Sequence, residues 1–311
     1  MKMFPSKLLL PALISALLLQ NVNATLFFTD QFNYPDGNNL GAGGPWAPAT
    51  SGKGSNATEI KVTAASAQTS PGGYASAAFN GVAVTPTTTA RATAALFNEA
   101  TGISNANGNV VYASFLLNVR DLPAANTRVA YLHDTTSSDA AVEVWINGTG
   151  QVGVRKKSGS PVFATGTPVA TPGSHLVVVR YAFQIGNDPV ALWVDPSSDN
   201  YGVDLAPSPS AIITNVASDN GSAGIKYFII DSPNTADSVY WIDEVRVGTT
   251  WADVTPSGPI PVLVITQCLL RPEGMILRGS RAPTPKSSPL AWTRSLRAIG
   301  SSRKRDSRST L

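Results

Sequence analysis

The chain has 311 residues, of which 43% are hydrophobic and 14% charged. A single cysteine excludes an intramolecular disulfide framework and a cysteine-rich zinc site, and two histidines leave little for a histidine-based metal cluster. The net charge of +3 averages three unlike segments: +2 in residues 1–24, −7 in residues 25–256 (11 basic, 18 acidic) and +8 in residues 257–311. The basic character therefore belongs to the two ends and predicts no nucleic-acid binding by the body.

Residues 1–24 have the pattern of an export signal. Lys2 and Lys7 give a positive start, residues 8–19 form an apolar run, and Val22-Asn23-Ala24 resembles a cleavage site. The run is shorter than the ~20 apolar residues that a transmembrane helix needs. We therefore predict a cleaved signal peptide and a secreted or cell-surface protein without a transmembrane segment. An uncleaved membrane anchor is the alternative.

The body, residues 25–256, consists of short runs rich in Val, Ile, Thr and aromatic residues, separated by turn signals. No stretch has the spacing of a long helix, and no fixed-period repeat occurs. The predicted strands are 57–63, 90–97, 109–120, 127–134, 141–147, 151–156, 175–184, 190–195, 225–231 and 238–247. Asn147-Gly148 favours a tight hairpin between its two flanking strands. The pattern predicts an all-β fold, a jelly-roll sandwich of two antiparallel sheets.

Alternation along each strand separates a core face from an outer face. In 141–147 the aliphatic residues must be buried, which places the remaining three on the outer face: Glu143, Trp145 and Asn147. The same rule places Trp193 and Asp195 outward in one strand, and Tyr112 outward in another.

Four segments carry a resemblance to a known superfamily. They are Phe-x-Tyr-Pro-Asp-Gly at 32–37, the related strands Val-Glu-Val-Trp-Ile-Asn-Gly and Val-Ala-Leu-Trp-Val-Asp-Pro at 142–148 and 190–196, and the closing Trp-Ile-Asp-Glu-Val-Arg-Val at 241–247. Over about 28–254 the chain resembles the concanavalin A-like lectin/glucanase superfamily, and more narrowly its exported bacterial LamG-like domains. The superfamily includes lectins, adhesion modules, hydrolases and lyases, so the fold alone does not choose a function.

Hydrolases of this superfamily present their carboxylates along one strand, as Glu-x-Asp-x-x-Glu or a close variant, and this chain has no such run. The nearest acidic pair is Asp243-Glu244, whose side chains are expected on opposite faces of the strand. Because carboxylates can also come from different strands, the absence of the motif weakens the hydrolase hypothesis without removing it.

Lyases of the fold use Tyr or His as the base and Arg or Gln to neutralise a uronate. Tyr131 and His133 share a predicted face, with Arg128 expected on the opposite face. His175 and Tyr181 share a face of another strand. Such pairs are common in strands, so the sequence leaves the lyase as an alternative.

Sugar rings pack their flat C–H faces on aromatic rings, and their hydroxyl groups need polar partners. An outward Trp145 flanked by Glu143 and Asn147 is therefore the first candidate carbohydrate site. The secondary candidates are Trp193 with Asp195, Tyr112, and Tyr131 with His133. The alternative is that a loop covers these rings, because single outward aromatic residues are also common in ordinary packing.

Glycan-binding sandwiches of this kind often hold a structural calcium ion between their first and last strands. Calcium takes roughly six to eight oxygen ligands. Asp30, expected before the first strand, and Asp243 in the closing strand would be the ligands. The resemblance thus allows a structural calcium, and no cofactor is required. The alternative is that Asp30 begins a turn and Asp243 faces solvent.

Residues 257–311 differ abruptly from the body. They are rich in Arg, Ser and Pro, include the single Cys268, and hold a basic cluster at 301–305. We predict a disordered tail or the product of a reading-frame error near residue 266, with a basic arm for anionic surfaces as the alternative.

The sequence as a whole predicts an exported, non-catalytic module that binds a glycan or cell-surface polysaccharide, or mediates adhesion. A polysaccharide-active enzyme of the same fold is the first alternative. A structural surface module without a small ligand is the second.

Overall fold

The computed structural model describes residues 24–40, 45–48, 60–64, 71–76, 80–85, 91–96, 103–134, 140–157, 159–166, 168–169, 173–215, 219, 224–232 and 239–258. The predicted signal peptide, apart from Ala24, and nearly all of the predicted tail lie outside these residues. No helix in this part of the chain is long and apolar enough to cross a membrane.

The described residues form fifteen strands and one short α-helix. Their bounds are β1 (Leu26–Asp30), β2 (Trp46–Pro48), β3 (Lys61–Thr63), β4 (Gly81–Val84), β5 (Arg91–Leu96), β6 (Val110–Asp121), β7 (Thr127–Asp134), β8 (Ala140–Ile146), β9 (Val152–Lys156), β10 (Val162–Phe163), β11 (Ser174–Ala182), β12 (Val190–Val194), β13 (Ala211–Ile213), β14 (Ile225–Ser232), β15 (Val239–Gly248) and α1 (Trp251–Val254).

The strands build two antiparallel sheets. One has eight strands in the order β13-β12-β11-β6-β15-β4-β3, with β1 also paired to β15. The other has seven strands in the order β10-β9-β8-β7-β14-β5-β2. The predicted all-β jelly-roll sandwich is confirmed.

Every described strand of six or more residues was predicted, because strands of that length show alternation. The ten predicted strands correspond to β3, β5 to β9, β11, β12, β14 and β15, although 57–59 lies outside the described residues. The five unpredicted strands have only two to five residues each. The predicted hairpin is confirmed, since Ile146 of β8 pairs with Val152 of β9, and Gly150 in the turn has a φ of 80°.

The main core lies between the two sheets and follows the predicted alternation. Val142, Val144 and Ile146 of β8 are all buried in it. Burial of three such side chains contributes roughly 5–8 kcal/mol of gross transfer free energy, at about 1.5–3 kcal/mol each. This aliphatic face fixes the outward direction of the residues between them.

A second apolar cluster covers part of the outer face of the eight-stranded sheet. Leu116 and Trp193 from the sheet pack there with Tyr201 from the loop after β12 and Trp251 of α1. The Trp193 indole Nε1 donates a hydrogen bond to the carbonyl of Pro207 at 2.8 Å. Residues distant in sequence therefore cover the part of this face around Trp193.

Near its middle, strand β15 contains one extra residue relative to its neighbour β6. The register shifts between Asp243 and Arg246, and Glu244 within this bulge has a left-handed φ of 52°. Ile242 and Val245 both face the core, although alternation would put them on opposite faces. The bulge thus keeps both halves of the closing strand packed on the core.

The folded body continues slightly past the predicted boundary at residue 256. Ser257 pairs with Tyr74, and the amide of Gly258 donates to the carbonyl of Gly73 at 2.7 Å. These two residues complete an interaction between the C-terminal end of the body and the segment before β4.

The second apolar cluster should stabilise the fold as a true core does. We expect Leu116→Ala to lower the free energy of unfolding by about 2–5 kcal/mol, because Leu116 is fully buried in that cluster. The matched control is Leu205→Ala, since Leu205 is 83% exposed, and its change should stay within ~0.5 kcal/mol. Urea unfolding measures both variants, and equal effects would contradict the assignment.

Candidate functional site

The outer face of the seven-stranded sheet carries two neighbouring rows of side chains. The cross-strand register of β10, β9, β8 and β7 gives the first row: Phe163, Gly153, Trp145 and Arg128. The register of β9, β8, β7 and β14 gives the second row: Arg155, Glu143, Tyr131 and Ile229. We call these eight residues the Trp145 surface.

Glu143 is the ionic centre of the Trp145 surface, and its side chain is only 1% exposed. Its carboxylate accepts hydrogen bonds from Arg128 Nη1 at 2.6 Å, from Arg155 Nη2 at 2.8 Å and from Trp145 Nε1 at 2.9 Å, with Arg155 Nε as a further donor. Both carboxylate oxygens are therefore engaged by the protein. Glu143, predicted as a direct sugar contact, instead fixes the side chains around it.

The Trp145 ring is partly exposed and held in one orientation. Its Nε1 is bonded to Glu143, and the Arg155 guanidinium lies 4.7 Å from the ring centroid. Gly153, directly across from Trp145, lies under the partly exposed Phe163 ring, so closely that an added Cβ would be 2.6 Å from Phe163 Cδ1. Phe163 is thus a second aromatic residue of this surface, which the sequence did not indicate because β10 is only two residues long.

Arg128 lies on the same face as Tyr131, so the predicted opposite placement is wrong. The β7–β8 register shifts between Arg128 and Ala130, and both Val129 and Ala130 face the core. This extra residue rotates the strand by one position, and the Arg128 guanidinium lies 4.2 Å from the Tyr131 ring centroid. Asp231 of β14 accepts a 2.5 Å hydrogen bond from Arg128 Nε.

Charges in this network are coupled. Burial acts to lower the pKa of Arg128, but Asp231 and Glu143 more than offset burial and raise that pKa above its ordinary value. Burial raises the pKa of Asp231, and the opposing attraction of Arg128 does not cancel that effect. Burial also raises the pKa of the Tyr131 phenol, with a further increase from Asp231. Arg128 is charged and Tyr131 neutral at physiological pH.

Tyr131 and His133 share the outer face, with ring centroids 6.0 Å apart. Both are buried, and Tyr131 packs in a small apolar cluster with Ala140 and Ile229. The pairing of the two residues was predicted, but their burial was not. A ligand would have to displace neighbouring atoms to reach either ring.

Asn147 belongs to the hairpin rather than to the site. Its Oδ1 accepts from the amides of Thr149 at 3.0 Å and Gln151 at 2.9 Å, and its Nδ2 donates to Gln151 Oε1 at 2.9 Å. The side chain therefore closes the β8–β9 turn. The prediction that Asn147 contacts sugar beside Trp145 is not supported by these bonds.

The candidates on the other sheet are mostly covered. Trp193 is 2% exposed, and the Tyr112 ring, also buried, lies 6.2 Å from it in the second apolar cluster. Both face outward as predicted, but the loop after β12 and α1 cover them, so neither offers a surface for sugar. Asp195 is exposed, yet its carboxylate accepts from the Leu176 amide at 2.9 Å and lies 2.6 Å from His175 Nδ1.

The two other pairs considered for catalysis are His175 with Tyr181 and Asp243 with Glu244, and at least one member of each pair is buried. Tyr181 is a core residue that donates to Asp188 Oδ2 at 2.7 Å, which separates it from any surface role with His175. Asp243 and Glu244 lie between two core-facing residues at the β15 bulge, so the expectation of opposite faces is wrong. Both acids are buried.

Asp30 is the last residue of β1 and is buried, whereas the sequence placed it before the first strand. Its carboxylate accepts from the Phe32 amide at 2.8 Å, from Tyr34 Oη at 2.7 Å and from Trp46 Nε1. These donors direct hydrogens at Asp30, whereas calcium needs oxygen ligands, so the surroundings do not fit the predicted ion. Among the described residues, no group of three or more His, Cys, Asp or Glu side chains could hold a metal. The calcium site at Asp30 and Asp243 stays a prediction from the resemblance alone.

No protein-family model matches the chain, and no curated protein matches it. Among solved structures, the chain is similar to an endo-1,3-β-glucanase from Streptomyces sioyaensis, with 11% identity, a TM-score of 0.46, and coverage of 73% of this chain and 96% of that one. It is also similar to a Trypanosoma rangeli sialidase, with 12% identity, a TM-score of 0.37 and coverage of 60% of this chain. The chain spans 27% of that sialidase. At these identities the likeness concerns the fold alone.

Removal of the Glu143 charge should destabilise the protein strongly. We expect Glu143→Gln to cost about 3–5 kcal/mol, because Arg128 and Arg155 would lose the carboxylate they share. The control is Asp199→Asn at an exposed carboxylate, with an expected change within ~0.5 kcal/mol. Urea unfolding at pH 7 gives both values. A loss below ~1 kcal/mol for Glu143→Gln would show that the network is not a stabilising centre.

Proposed function

We propose that this chain is an exported, non-catalytic module that binds carbohydrate, or mediates surface contact, through the Trp145 surface. The observation that carries the proposal is the partly exposed and fixed Trp145 ring beside Phe163 on an outer sheet face. The export part depends on residues 1–24, and the LamG-like assignment depends on the motifs at 32–37 and 241–247.

A fixed aromatic ring lowers the cost of binding. Trp145 is already oriented by Glu143 and Arg155, so little side-chain entropy is lost when a sugar ring packs against it. Phe163 and Trp145 belong to strands two positions apart, which separates their backbones by about 10 Å. An extended oligosaccharide can contact both rings at that spacing.

Local charge favours a neutral glycan at this surface. Two guanidinium groups, Arg128 and Arg155, face two carboxylates, Glu143 and Asp231, in one bonded network. The network therefore has no net charge to attract an ionic ligand. Hydroxyl groups of a neutral sugar can still hydrogen-bond at the exposed edges of the two guanidinium groups, whose side chains are 30% and 27% exposed.

The same network supports binding rather than hydrolysis. Glycoside hydrolysis usually needs one carboxylic acid and one carboxylate placed on either side of the scissile bond. Glu143 and Asp231 are both buried and bonded to arginine. Both oxygens of Glu143 and Oδ2 of Asp231 already accept hydrogen bonds from the protein, so neither acid stands free beside a substrate position.

One observation favours the lyase alternative, and another is evidence against it. Arg128 beside Tyr131 is the arrangement that proton abstraction from a uronate would use. However, Tyr131 is buried and its pKa is raised, so the phenolate base would be scarce at neutral pH. We therefore retain the binding module as the proposed function and treat turnover as the result that would replace it.

The test is a glycan-array screen of the full chain beside Trp145→Ala and Trp145→Phe variants. Loss of one aromatic contact should weaken binding of a neutral oligosaccharide at least about tenfold in Trp145→Ala, which corresponds to ~1.4 kcal/mol. Trp145→Phe keeps an aromatic ring and should lose only a few-fold. Unchanged melting temperatures would show that all three proteins are folded.

A parallel assay measures reducing ends and unsaturated products from the same glycans. Saturable binding without product supports the proposal. Product formation would replace it with the enzyme alternative, and equal affinity of the parent and Trp145→Ala would remove the Trp145 surface as the site. Absence of binding to all glycans would leave the structural module.

A further inference from the structure

A continuous row of outward side chains crosses the eight-stranded sheet, on the opposite side of the sandwich from Trp145. The register of β3, β4, β15, β6 and β11 gives its members in order: Lys61, Ala83, Trp241, Asn118 and Ser174. Directly paired residues of antiparallel strands share a face. The row faces outward because the sequence neighbours of its members occupy the core, namely Val62, Val82, Ile242 and Leu117.

This row, which we call the Trp241 row, lies apart from the covered region of the same sheet face. The second apolar cluster includes neither Trp241 nor Asn118. Trp241 is partly exposed, and the guanidinium of the exposed Arg120 lies 4.4 Å from its ring centroid.

The Trp241 row carries positive charge, from its member Lys61 and from Arg120, which lies over the Trp241 ring. Lys61 and Arg120 are both exposed, and among the described residues neither forms an ion pair with a carboxylate. Arg128 and Arg155 on the other sheet are, by contrast, fully paired with acids. Lys61 and Arg120 thus place two cations without a described ion-pair partner on one face of a body whose net charge is −7.

Asn118 supplies an independent sign of a ligand. The residue is 8% exposed, and its Oδ1 has no hydrogen-bond partner. A buried acceptor without a partner costs about 1–3 kcal/mol. Because Asn118 is directly opposite Trp241, a hydroxyl group of a ligand packed on that ring could donate to Oδ1 and remove the cost.

We infer that the Trp241 row binds an anionic polysaccharide, one that bears carboxylate or sulfate groups. Lys61 and Arg120 attract the acidic groups, Trp241 packs against the C–H face of a sugar ring, and Asn118 accepts a hydroxyl hydrogen. The row crosses five strands, a distance of about 19 Å, which allows several sugar units to bind along it. The inference concerns a different sheet and a different ligand charge from the proposed function and does not depend on it.

The experiment measures binding of the full chain to three polymers by affinity electrophoresis: polygalacturonate, dextran sulfate and dextran. We expect retardation by at least one anionic polymer and none by dextran. The double variant Arg120→Gln with Lys61→Gln should weaken anionic binding at least about tenfold and flatten its dependence on salt, because fewer counterions are displaced. Trp241→Ala should weaken it similarly, and Trp241→Phe should preserve most of it.

Two controls separate this inference from the proposed function. Trp145→Ala should leave anionic binding unchanged, and Lys157→Gln, which removes a cation elsewhere, should do the same. Retardation by polygalacturonate alone would identify carboxylate groups as the ligand. Retardation by dextran sulfate alone would identify sulfate groups, and retardation by both would indicate a general anionic preference. Absence of anionic binding, or full anionic binding by the double variant, overturns the inference even where the Trp145 surface binds neutral glycan.

Discussion

The structure depends on the closing strand β15, which pairs with β6 on one side and with both β4 and β1 on the other. A regular strand could not bury its apolar residues along its whole length here. Ile242 and Val245 are three residues apart, so in a regular strand their side chains would point to opposite faces of the sheet. One extra residue with a left-handed backbone at Glu244 resolves this conflict. It also sets which side chains point outward on either side of the bulge, with Trp241 on one half and Arg246 on the other.

The two outer faces of the sandwich use arginine in different ways. On the seven-stranded sheet, Arg128 and Arg155 are tied to buried carboxylates, so the guanidinium groups act as supports for Trp145 and Tyr131. On the eight-stranded sheet, Arg120 contacts Trp241 and forms no ion pair with a described acid. Arginine beside an aromatic ring is therefore balanced by bonded carboxylates on the seven-stranded sheet, whereas Arg120 on the eight-stranded sheet has no described carboxylate bonded to it.

Alternation in the sequence was sufficient to predict the core and outer faces of the long strands, as for Val142, Glu143 and Val144 of β8. It could not predict the bulges at Val129 and Glu244, because an extra residue changes the face of everything after it and leaves no local signal. Burial of Trp193 was also hidden, since Trp251, which covers it, lies far along the chain. Glu143 holds the neighbouring arginine side chains and Asn147 closes the hairpin, and both roles depend on hydrogen-bond partners that the alternation along one strand does not show.

The Trp145 surface and the Trp241 row lie on opposite faces, which has a consequence for the valency of the two proposed sites. The backbones of the two sheets lie about 10 Å apart, so the Trp145 surface and the Trp241 row face away from each other across a thin layer of core. One polymer chain cannot easily bend around the sandwich to reach both. If both proposed sites bind polysaccharide, one domain would therefore join two separate chains, with the avidity that several such links provide.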